Sequence, residues 1–512
     1  GRMNKPFALM FPSMDSIEKV CRVSSAEKSV LSSHRSPVVL LSKLEAEEAE
    51  GVVSSQVAPG NPELGVMLPY TPLHHLLMME IGKPVIATSG NVTDEPICID
   101  EGEALGRLGG LADLFLVHNR PIARHVDDSV VRIFRGQEMV IRRARGYAPL
   151  PVGRVSSLKT ILAAGPHLKN TVALSVKGNV FVSQHIGDLE TPLALDAFDE
   201  VRESMAEMYG SSPDLVACDM HPDYASTTRA REYGLGTFKV QHHRAHVYSC
   251  MLDSGAAPPL LGLSWDGTGY GTDGTVWGGE FFLVDHQDMS RAARLRQFRL
   301  PGGDAAAVEP RRCALGVLQQ CYDDPRSHMP PGAFSEEEYR VLMRMLEKEV
   351  NSPLTSSMGR LFDAVASILG LNQKIEFEAQ AAMALEHSIG ELKVEEAYPF
   401  EIRDTEQPII FDWLPMIERI IHDRDRGLNK GLISAKFHNT LAEMAAAAAE
   451  VTGQSRVLLT GGCFQNLYLL ARTCGVLEER GFQPVVHSRL PANDGGIAPG
   501  QIMAASVAAE KL

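Results

Sequence analysis

Short apolar runs alternate with amphipathic segments in the N-terminal part of the chain. The runs PFALMF, PVVLLSK and KPVIATSGN are typical of strands, whereas Met14–Val23 and Pro72–Ile81 carry apolar residues at helical spacing. DDSVVRIF and GQEMVIRRAR alternate in the manner of a hairpin, with its turn at Gly136-Gln137. Strands interleaved with helices predict an α/β domain over residues 4–145.

A second arrangement begins near Leu158 and occurs twice. NTVALSVKGNVFVSQHIG predicts two strands, and PLLGLSWDGTGYGTDGTVWGGEFFLV repeats the order of strand, glycine-rich turn and strand. This recurrence predicts a duplicated α/β fold over residues 158–512, with a cleft between its halves. Residues 146–157 are rich in proline, glycine and serine and are predicted to form a linker. Residues 287–350 are more polar and are predicted to be an insertion.

The remaining apolar pattern predicts several longer elements. Residues 193–209 have helical periodicity, and residues 356–390 and 434–452 are predicted to be long helices. RVLLTGG is typical of a buried strand that leads into glycines and then a helix. The loop ANDGG precedes a last helix.

Composition and charge narrow the possible functions. At 512 residues, with 44% hydrophobic and 22% charged residues, the chain is predicted to be a globular protein of two to four domains. A net charge of −15 argues against a large nucleic-acid interface, although Arg142, Arg143 and Arg145 form a local basic patch. We find no membrane-spanning apolar run, no signal peptide and no CxxC pair, so a cytoplasmic location with reduced cysteines is expected.

Two histidines four residues apart are the first candidate site. On a helix, His242 and His246 of QHHRAH project from one face, where two imidazoles can hold one metal ion. Asp266 follows a predicted strand and Asp494 lies in the ANDGG loop, and carboxylates suit the same metals. The alternative is that the histidines only cap a helix or pair at its surface.

Two glycine-rich turns are the second candidate. Gly267 and Gly269 lie in DGTGYG, and Gly461 and Gly462 join a predicted strand to a helix in TGGCFQN. Their main-chain N–H groups can approach a phosphate closely, and a helix N-terminus also favours an anion. Either turn alone is equally well explained as a tight turn that requires glycine.

Two further polar segments have less specific patterns. Thr88, Ser89 and Asn91 of TSGNVTDEP offer hydroxyl and amide groups after a strand, and the arginines of IRRAR suit phosphate or carboxylate. These segments could equally be a polar loop and a solvated basic strand. In EFEAQAAMALEH, Glu378 and Gln380 could reach a ribose or could simply begin a helix.

The motifs together resemble the HypF family of hydrogenase maturation carbamoyltransferases. The resemblance is carried, in order, by KPFALM, LPYTPLHHLL, TSGNVTDEP, DDSVVR, IRRARGYAPLPV, LKNT, QHIGDL, QHHRAH, WDGTGYG, VWGGEF, SSMGRLFDAVA, TGGCFQN and NDGGIA. It implies a partial YrdC-like α/β domain followed by a duplicated, two-lobed, actin-like (ASKHA) carbamoyltransferase domain. The first would make carbamoyl adenylate from ATP and a group derived from carbamoyl phosphate, or from carbamate. The second would pass the carbamoyl group to the C-terminal cysteine of a HypE-like partner.

The same resemblance implies a role for individual residues. His242, His246, Asp266 and Asp494 match the family's ligands for one divalent metal, iron or zinc, and the first three would serve catalysis. ATP with Mg²⁺ is the other implied cofactor. The positions that match nucleotide-binding residues are Lys5, Thr88, Ser89, Asn91, Arg143, Arg145, Gly267, Gly269, Asp363, Glu378, Gly461, Gly462 and Asn466.

The chain also departs from the family pattern. Family members begin with an acylphosphatase domain and zinc fingers, whereas this sequence starts just before KPFALM, so we expect a fragment whose YrdC-like domain lacks its N-terminal part. The family's EGQAA is replaced by Glu378-Ala379-Gln380-Ala381-Ala382. Alanine in place of glycine at 379 mildly restricts the backbone conformations that this position can adopt. Two other functions stay open: carbamoyl transfer to a small-molecule hydroxyl, and a non-catalytic nucleotide-binding scaffold.

Overall fold

The chain folds into two compact units in a computed structural model that describes residues 5–45, 53–93 and 95–509. Ala256–Val486 form one unit, called here the C-terminal unit. The described residues before Ala256 and after Val486 form the other, the N-terminal unit. The predicted domain ends at residues 4 and 512, and Asp94 of TSGNVTDEP, lie outside the described residues.

A mixed six-stranded sheet forms the first part of the N-terminal unit, with strand order β4-β1-β3-β2-β5-β6. Phe11, Ile17, Val39 and Val66 are fully buried in its core. The elements are β1 (Ala8–Met10), α1 (Met14–Glu18), α2 (Ser25–Leu31), β2 (Val38–Ser42), β3 (Glu63–Met67), α3 (Pro72–Ile81), β4 (Val85–Ala87), α4 (Glu101–Leu108), β5 (Val130–Phe134) and β6 (Gln137–Arg142).

The predictions for this sheet are confirmed in outline and corrected in detail. Helix α3 has the predicted bounds, where Thr71 caps its first turn, whereas α1 stops at Glu18, before the predicted end. The hairpin turn lies at Arg135 and Gly136 instead of Gly136-Gln137. Both turn residues have positive φ, 51° and 75°, which matches the twist that a two-residue hairpin turn needs.

A second six-stranded sheet follows in the same unit, with strand order β12-β11-β8-β9-β10-β7. Strands β8, β9 and β10 are antiparallel, and β11 and β12 extend the sheet in parallel from β8. The elements are β7 (Pro151–Arg154), β8 (Ile161–Ala163), β9 (Ala173–Val176), β10 (Asn179–Val182), α5 (Pro192–Met208), β11 (Leu215–Asp219), α6 (Ala225–Glu232), β12 (Thr237–Val240) and α7 (His242–Ser254).

The C-terminal unit repeats this strand order. Its sheet runs β18-β19-β15-β14-β13-β20-β21, in which β13, β14 and β15 are antiparallel and β20 and β21 follow in parallel from β13. The strands are β13 (Leu260–Tyr270), β14 (Val276–Val284), β15 (Met289–Leu295), β16 (Phe298–Arg299), β17 (Leu354–Thr355), β18 (Glu401–Arg403), β19 (Ile409–Asp412), β20 (Arg456–Thr460) and β21 (Gln483–Val485).

The helices of the C-terminal unit complete the duplicated pattern that the sequence predicts. They are α8 (Ala305–Val308), α9 (Pro310–Cys321), α10 (Glu336–Glu347), α11 (Met358–Ile368), α12 (Gln380–Ile389), α13 (Leu414–Asp425), α14 (Lys430–Thr452) and α15 (Leu467–Glu479). A last helix, α16 (Ile497–Ala509), returns to the N-terminal unit.

Four sequence predictions need correction. The predicted linker contains strand β7, which pairs with β10, and the predicted insertion contains β15, which lies between β14 and β19 in the sheet. The predicted long helix at 356–390 is two helices, α11 and α12. The predicted turn at DGTGYG belongs to β13, with a bulge between Trp265 and Gly269. Glycine-rich sequence permits a bulged strand as well as a turn.

No disulfide joins any of the eight cysteines, all of which lie within the described residues. Within the described ranges, every helix is too short or too polar to cross a bilayer.

Candidate metal and nucleotide sites

Helix α7 places two histidines on one buried face. Gln241 caps the helix, because its side chain accepts a hydrogen bond from the Arg244 N–H at 3.0 Å. The imidazole rings of His242 and His246 lie with their centroids 5.0 Å apart, and each residue is only 1% exposed. Both rings are therefore held by packing before any ligand binds.

A buried carboxylate orients the first of these histidines. Asp219 ends strand β11 and is fully buried, and its Oδ2 lies 3.0 Å from His242 Nδ1. Its other oxygen accepts the His221 N–H at 2.8 Å. A carboxylate behind an imidazole fixes the ring's tautomer and orientation, as it does around bound metals. Asp219 is not among the residues predicted from the sequence, although an acidic residue at the carboxyl end of a parallel strand was a usable signal.

Asp494 lies close to both histidines within the same unit. Its Oδ1 is 3.5 Å from His242 Nε2 and 3.7 Å from His246 Nε2. Helices α7 and α16 approach so closely that a Cβ at Gly500 would lie 1.9 Å from the Ala245 carbonyl oxygen. This close approach fixes the turn that carries Asp494.

The three donors fit a divalent metal. One ligand atom from each of His242, His246 and Asp494 lies within 4.8 Å of the others. Two imidazoles and a carboxylate are ligands that zinc and iron(II) accept, with positions left for other oxygens. The Asp219 contact adds the supporting carboxylate that such sites commonly have.

Asp266, the fourth predicted ligand, belongs to the C-terminal unit. There its Oδ1 accepts a hydrogen bond from the Gly462 N–H at 3.2 Å. Its role as a metal ligand stays a prediction.

The two predicted phosphate turns meet within the C-terminal unit. Gly461 has φ of 95°, and a Cβ there would lie 2.2 Å from the Trp265 carbonyl oxygen, so only glycine fits. The Trp265 ring also stacks on Phe464, with centroids 5.1 Å apart. The bulge of β13, with Asp266 and Gly267, and the end of β20, with Gly461 and Gly462, are thereby held together.

Asn466 is occupied as a helix cap. Its Oδ1 accepts the Leu469 N–H at 2.8 Å, and its Nδ2 donates to His438 Nε2 at 2.9 Å. His438 Nδ1 in turn donates to the Ser434 carbonyl oxygen at 2.7 Å, so the ring is neutral. Burial lowers the pKa of His438 to about 4, which agrees with that tautomer. Both ends of the Asn466 amide therefore have protein partners.

Asp363 and Glu378 have different surroundings. Asp363 is buried on α11, where burial raises its pKa to about 6 despite the opposing charge of Arg360. Glu378 is exposed and lies in the loop before α12, not on a helix as predicted. The next residue, Ala379, has φ of 62°, the left-handed region that favours glycine, so the alanine that replaces the family's glycine is strained.

Polar residues in the first sheet are much more open. Lys5, Thr88 and Ser89 are exposed and Asn91 is half-buried. The loop satisfies part of its own hydrogen bonding: the Ser89 hydroxyl donates to Asn91 Oδ1, and Asn91 Nδ2 donates to the Glu95 carbonyl oxygen at 2.8 Å. The structure thus groups Ser89 with Asn91 without fixing them by packing.

The two predicted phosphate-binding arginines have protein partners. Arg143 is 4% exposed, and its guanidinium donates to the carbonyl oxygens of Val182, Tyr147 and Leu150. These contacts tie the first sheet to the second and favour a structural role. Arg145 lies over the Tyr70 ring, 3.3 Å from its centroid, and donates to Asp128 Oδ1 at 2.7 Å.

A second buried histidine–carboxylate pair secures the other end of α7. Asp253 accepts the N–H groups of Ser488 and Leu490 at 2.7 and 3.2 Å. Its Oδ2 lies 3.6 Å from His487 Nδ1. Burial alone would lower the pKa of His487, but Cys250 and Asp253 outweigh it and raise the pKa to about 9. Charged His487 therefore stabilises the segment that leads to Asp494.

Three known families match successive parts of the sequence. Residues 156–253 match the "HypF Kae1-like domain", and residues 262–501 match "Carbamoyltransferase, Kae1-like Domain, second subdomain". Residues 1–144 match the Sua5–YciO–YrdC family, whose description is "Telomere recombination". With the duplicated sheets, these matches define a carbamoyltransferase that combines a YrdC-like region with an actin-like, Kae1-like domain.

The chain belongs to the HypF family of carbamoyltransferases. It is 41% identical to carbamoyltransferase HypF of Synechocystis sp., over 98% of this chain and 67% of that protein. It thus spans about two thirds of the length of that relative.

Solved structures confirm the fold class. A crystal structure of full-length HypF in the phosphate- and nucleotide-bound form superposes with a TM-score of 0.92 at 40% identity, covering 99% of this chain and 79% of that one. HypF of T. kodakarensis gives a TM-score of 0.92 at 30% identity, covering 100% of this chain and 69% of that one.

Proposed function

We propose that this chain transfers a carbamoyl group from carbamoyl adenylate to the C-terminal cysteine thiol of a HypE-like protein, a step in [NiFe] hydrogenase maturation. We further propose that the YrdC-like region uses ATP with Mg²⁺ and a group derived from carbamoyl phosphate to form the adenylate. Family membership supports the carbamoyl chemistry, and a relative solved in a phosphate- and nucleotide-bound form supports the nucleotide.

The observation that carries the proposal is the group formed by the buried His242 and His246 and the half-buried Asp494. These side chains have converging donor atoms and an orienting carboxylate in Asp219. A purely structural core would not require two imidazoles and the Asp219 carboxylate to be buried together beside a second, half-buried carboxylate, because burying such groups costs free energy. Preorganised donors of this kind are typical of a site that binds a metal.

The residues of the chain would divide the work between ligand binding and charge stabilisation. A divalent metal, zinc or iron, held by His242, His246 and Asp494 would supply Lewis-acid chemistry at an oxygen of the substrate. We propose Asp266 as a further ligand. The Gly461–Gly462 main chain would hold the phosphoryl group, whose negative charge grows as the bond to the carbamoyl carbon breaks. The Gly462 N–H would then exchange Asp266 for a phosphoryl oxygen.

The reaction itself exchanges one acyl bond for another. The partner's thiolate attacks the carbamoyl carbon, a C–S bond forms, and the bond from that carbon to the phosphoryl oxygen breaks. AMP leaves with the electron pair, and the thiol's proton passes to solvent. The nucleophile comes from the partner, so the mechanism assigns no reaction to a cysteine of this chain.

The test is transfer of labelled carbamoyl from supplied carbamoyl adenylate to a peptide with the C-terminal cysteine of a HypE-like protein. Replacing both His242 and His246 with alanine should lower the transfer rate by more than about a hundredfold, since the Lewis acid would be lost. His286→Ala, an exposed histidine on the other unit, is the matched control and should transfer normally.

Two outcomes would contradict the proposal. Undiminished transfer by the double variant would refute the role of the histidine pair. Transfer to a small-molecule hydroxyl but not to the thiol peptide would refute the acceptor and leave the chemistry of the site unchanged.

A further inference from the structure

Helix α11 begins directly against the glycine bulge of β13. The Ser357 hydroxyl, at its N-cap, lies 2.6 Å from the Gly267 carbonyl oxygen and 3.0 Å from that of Asp266. A Cβ at Gly359 would lie 2.8 Å from Gly267 Cα, so the two backbones meet without room for a side chain. This contact places the next residue, Arg360, beside the bulge.

The Arg360 guanidinium adjoins Gly267. Its Nη2 lies 3.7 Å from the position that a Gly267 Cβ would occupy, an ordinary contact distance. The arginine side chain is only 13% exposed. A cation therefore lies almost buried next to main chain that is predicted to approach a phosphate.

One carboxylate holds this cation in place. Arg360 Nη2 is 3.0 Å from Asp363 Oδ2, one helical turn further along α11, and Asp363 is 2% exposed. The guanidinium has five N–H donors, and among the described residues its buried Nε makes no hydrogen bond. The ion pair therefore holds the two charges together without a directed hydrogen bond, since Asp363 Oδ2 makes none among the described residues, and it leaves donor capacity on Arg360 for another anion.

An internal ion pair alone does not explain this placement. A pair that only stabilised α11 could lie on any face of the helix, whereas Arg360 lies against the bulge that also adjoins Gly462 through Asp266. A planar guanidinium with directed donors matches the oxygens of a phosphoryl group. Glycine at 267 keeps the approach to that guanidinium open.

We propose that Arg360 contacts the phosphoryl group of the bound nucleotide, and that Asp363 positions Arg360 instead of touching the nucleotide. The inference rests on the proposed function, because it assumes that the C-terminal unit binds the AMP moiety. It adds a substrate-contacting residue that the sequence motifs did not single out, and it gives Asp363 a positioning role.

The experiment is calorimetric titration of AMP, adenosine and inorganic phosphate into the full chain and its variants. Arg360→Gln should weaken AMP binding by about tenfold to a hundredfold, the value of a charge-assisted hydrogen bond, and leave adenosine binding unchanged. The AMP affinity of Arg360→Lys should lie between those of the parent chain and Arg360→Gln, because lysine keeps the positive charge but not the paired N–H donors of the guanidinium. Arg344→Gln, an exposed arginine on α10, is the matched control and should bind as the parent chain does.

Asp363→Asn tests the positioning role. This variant should weaken AMP binding less than Arg360→Gln does, and it should leave adenosine binding unchanged. Any nucleotide held by the YrdC-like region is common to the whole series, so differences between variants report on α11. Circular dichroism of each variant checks the fold.

Two results would overturn the proposal: equal losses of AMP and adenosine affinity, which indicate a merely structural arginine, or no loss with Arg360→Gln. No acceptor is present in these titrations. A failed thiol transfer with the expected AMP pattern would therefore refute the acceptor and leave the assignment of Arg360 intact.

Discussion

The junction of β11 and α7 differs sharply from the loop that follows β4. At the first, His242, His246 and Asp219 are almost completely buried and contact one another through fixed side chains. In the second, Thr88 and Ser89 are exposed and their partners belong to the same short loop. The former is organised by the core of its unit, so its geometry precedes ligand binding. In the loop after β4, a bound ligand would have to order the exposed side chains.

Anchoring at both ends of α7 explains the difference. Asp219 holds His242 at the start of the helix, and Asp253 holds the backbone of residues 488–490 at its end. Asp253 thus fixes the segment that leads to Asp494, and Asp219 fixes the histidine that Asp494 approaches. Among the described residues, the side chains of Thr88, Ser89 and Asn91 bond only atoms of their own loop. Arg107 anchors this loop further along, at Glu95, and no buried carboxylate in the described part of the chain holds the three side chains.

The largest effect is expected from removing a proposed metal ligand. Asp494→Asn should lower zinc affinity by well over about a hundredfold, because even supporting residues of a metal site contribute tenfold to a hundredfold. Protein-bound zinc after competition with a chelator measures this, and Asp223→Asn, an exposed aspartate in the same unit, is the control. Equal zinc retention by both variants would show that Asp494 and the two histidines have only a structural role.

The second prediction concerns the other anchored end of α7. The folded-state pKa of His487 is raised to about 9 from its ordinary value of 6.5, so its stabilisation is fully present below pH 6.5 and is lost as pH rises through 9. The free energy of unfolding should fall by about 3 kcal/mol across that window. Denaturant unfolding at a series of pH values measures it.

A variant separates this histidine from other groups that titrate at alkaline pH. His487→Gln should be less stable at pH 6.5 and should show a correspondingly smaller fall towards pH 9. An unchanged pH profile in the variant would assign the effect to other groups.

A smaller effect is expected for the orienting carboxylate. Asp219→Asn keeps the size of the side chain but removes its charge, so His242 loses its preferred tautomer. Zinc affinity should fall by about tenfold to a hundredfold, less than for Asp494→Asn. If the two variants lose affinity equally, Asp219 is itself a ligand and the proposed ligand set is wrong.

Local spacing explains which parts of these sites could be predicted. His242 and His246 share one helix, so their common face follows from sequence alone, as does the buried strand before Gly461. Asp219 was missed because it lies at the end of one strand and contacts His242 at the start of a later helix. No fixed spacing in the sequence predicts a contact between two such elements. The bulge at Gly267 was misread as a turn because glycine permits both conformations. Arg360 and Asp363 lie three apart on a helix, a spacing that could have indicated their ion pair.

The smallest effect on stability is expected in the loop after β4, where Ser89→Ala removes one hydrogen bond from an exposed side chain. The free energy of unfolding should change by less than about 0.5 kcal/mol, as for most surface substitutions. If Ser89 binds ATP as proposed, ATP affinity of the same variant should nevertheless fall, which equilibrium binding of labelled ATP measures. Ser54→Ala is the control, because Ser54 is also exposed and bonds only its own short turn. A loss of stability without a loss of ATP affinity would show that this loop, like α7, is held by the fold, and the contrast between the two regions would then be wrong.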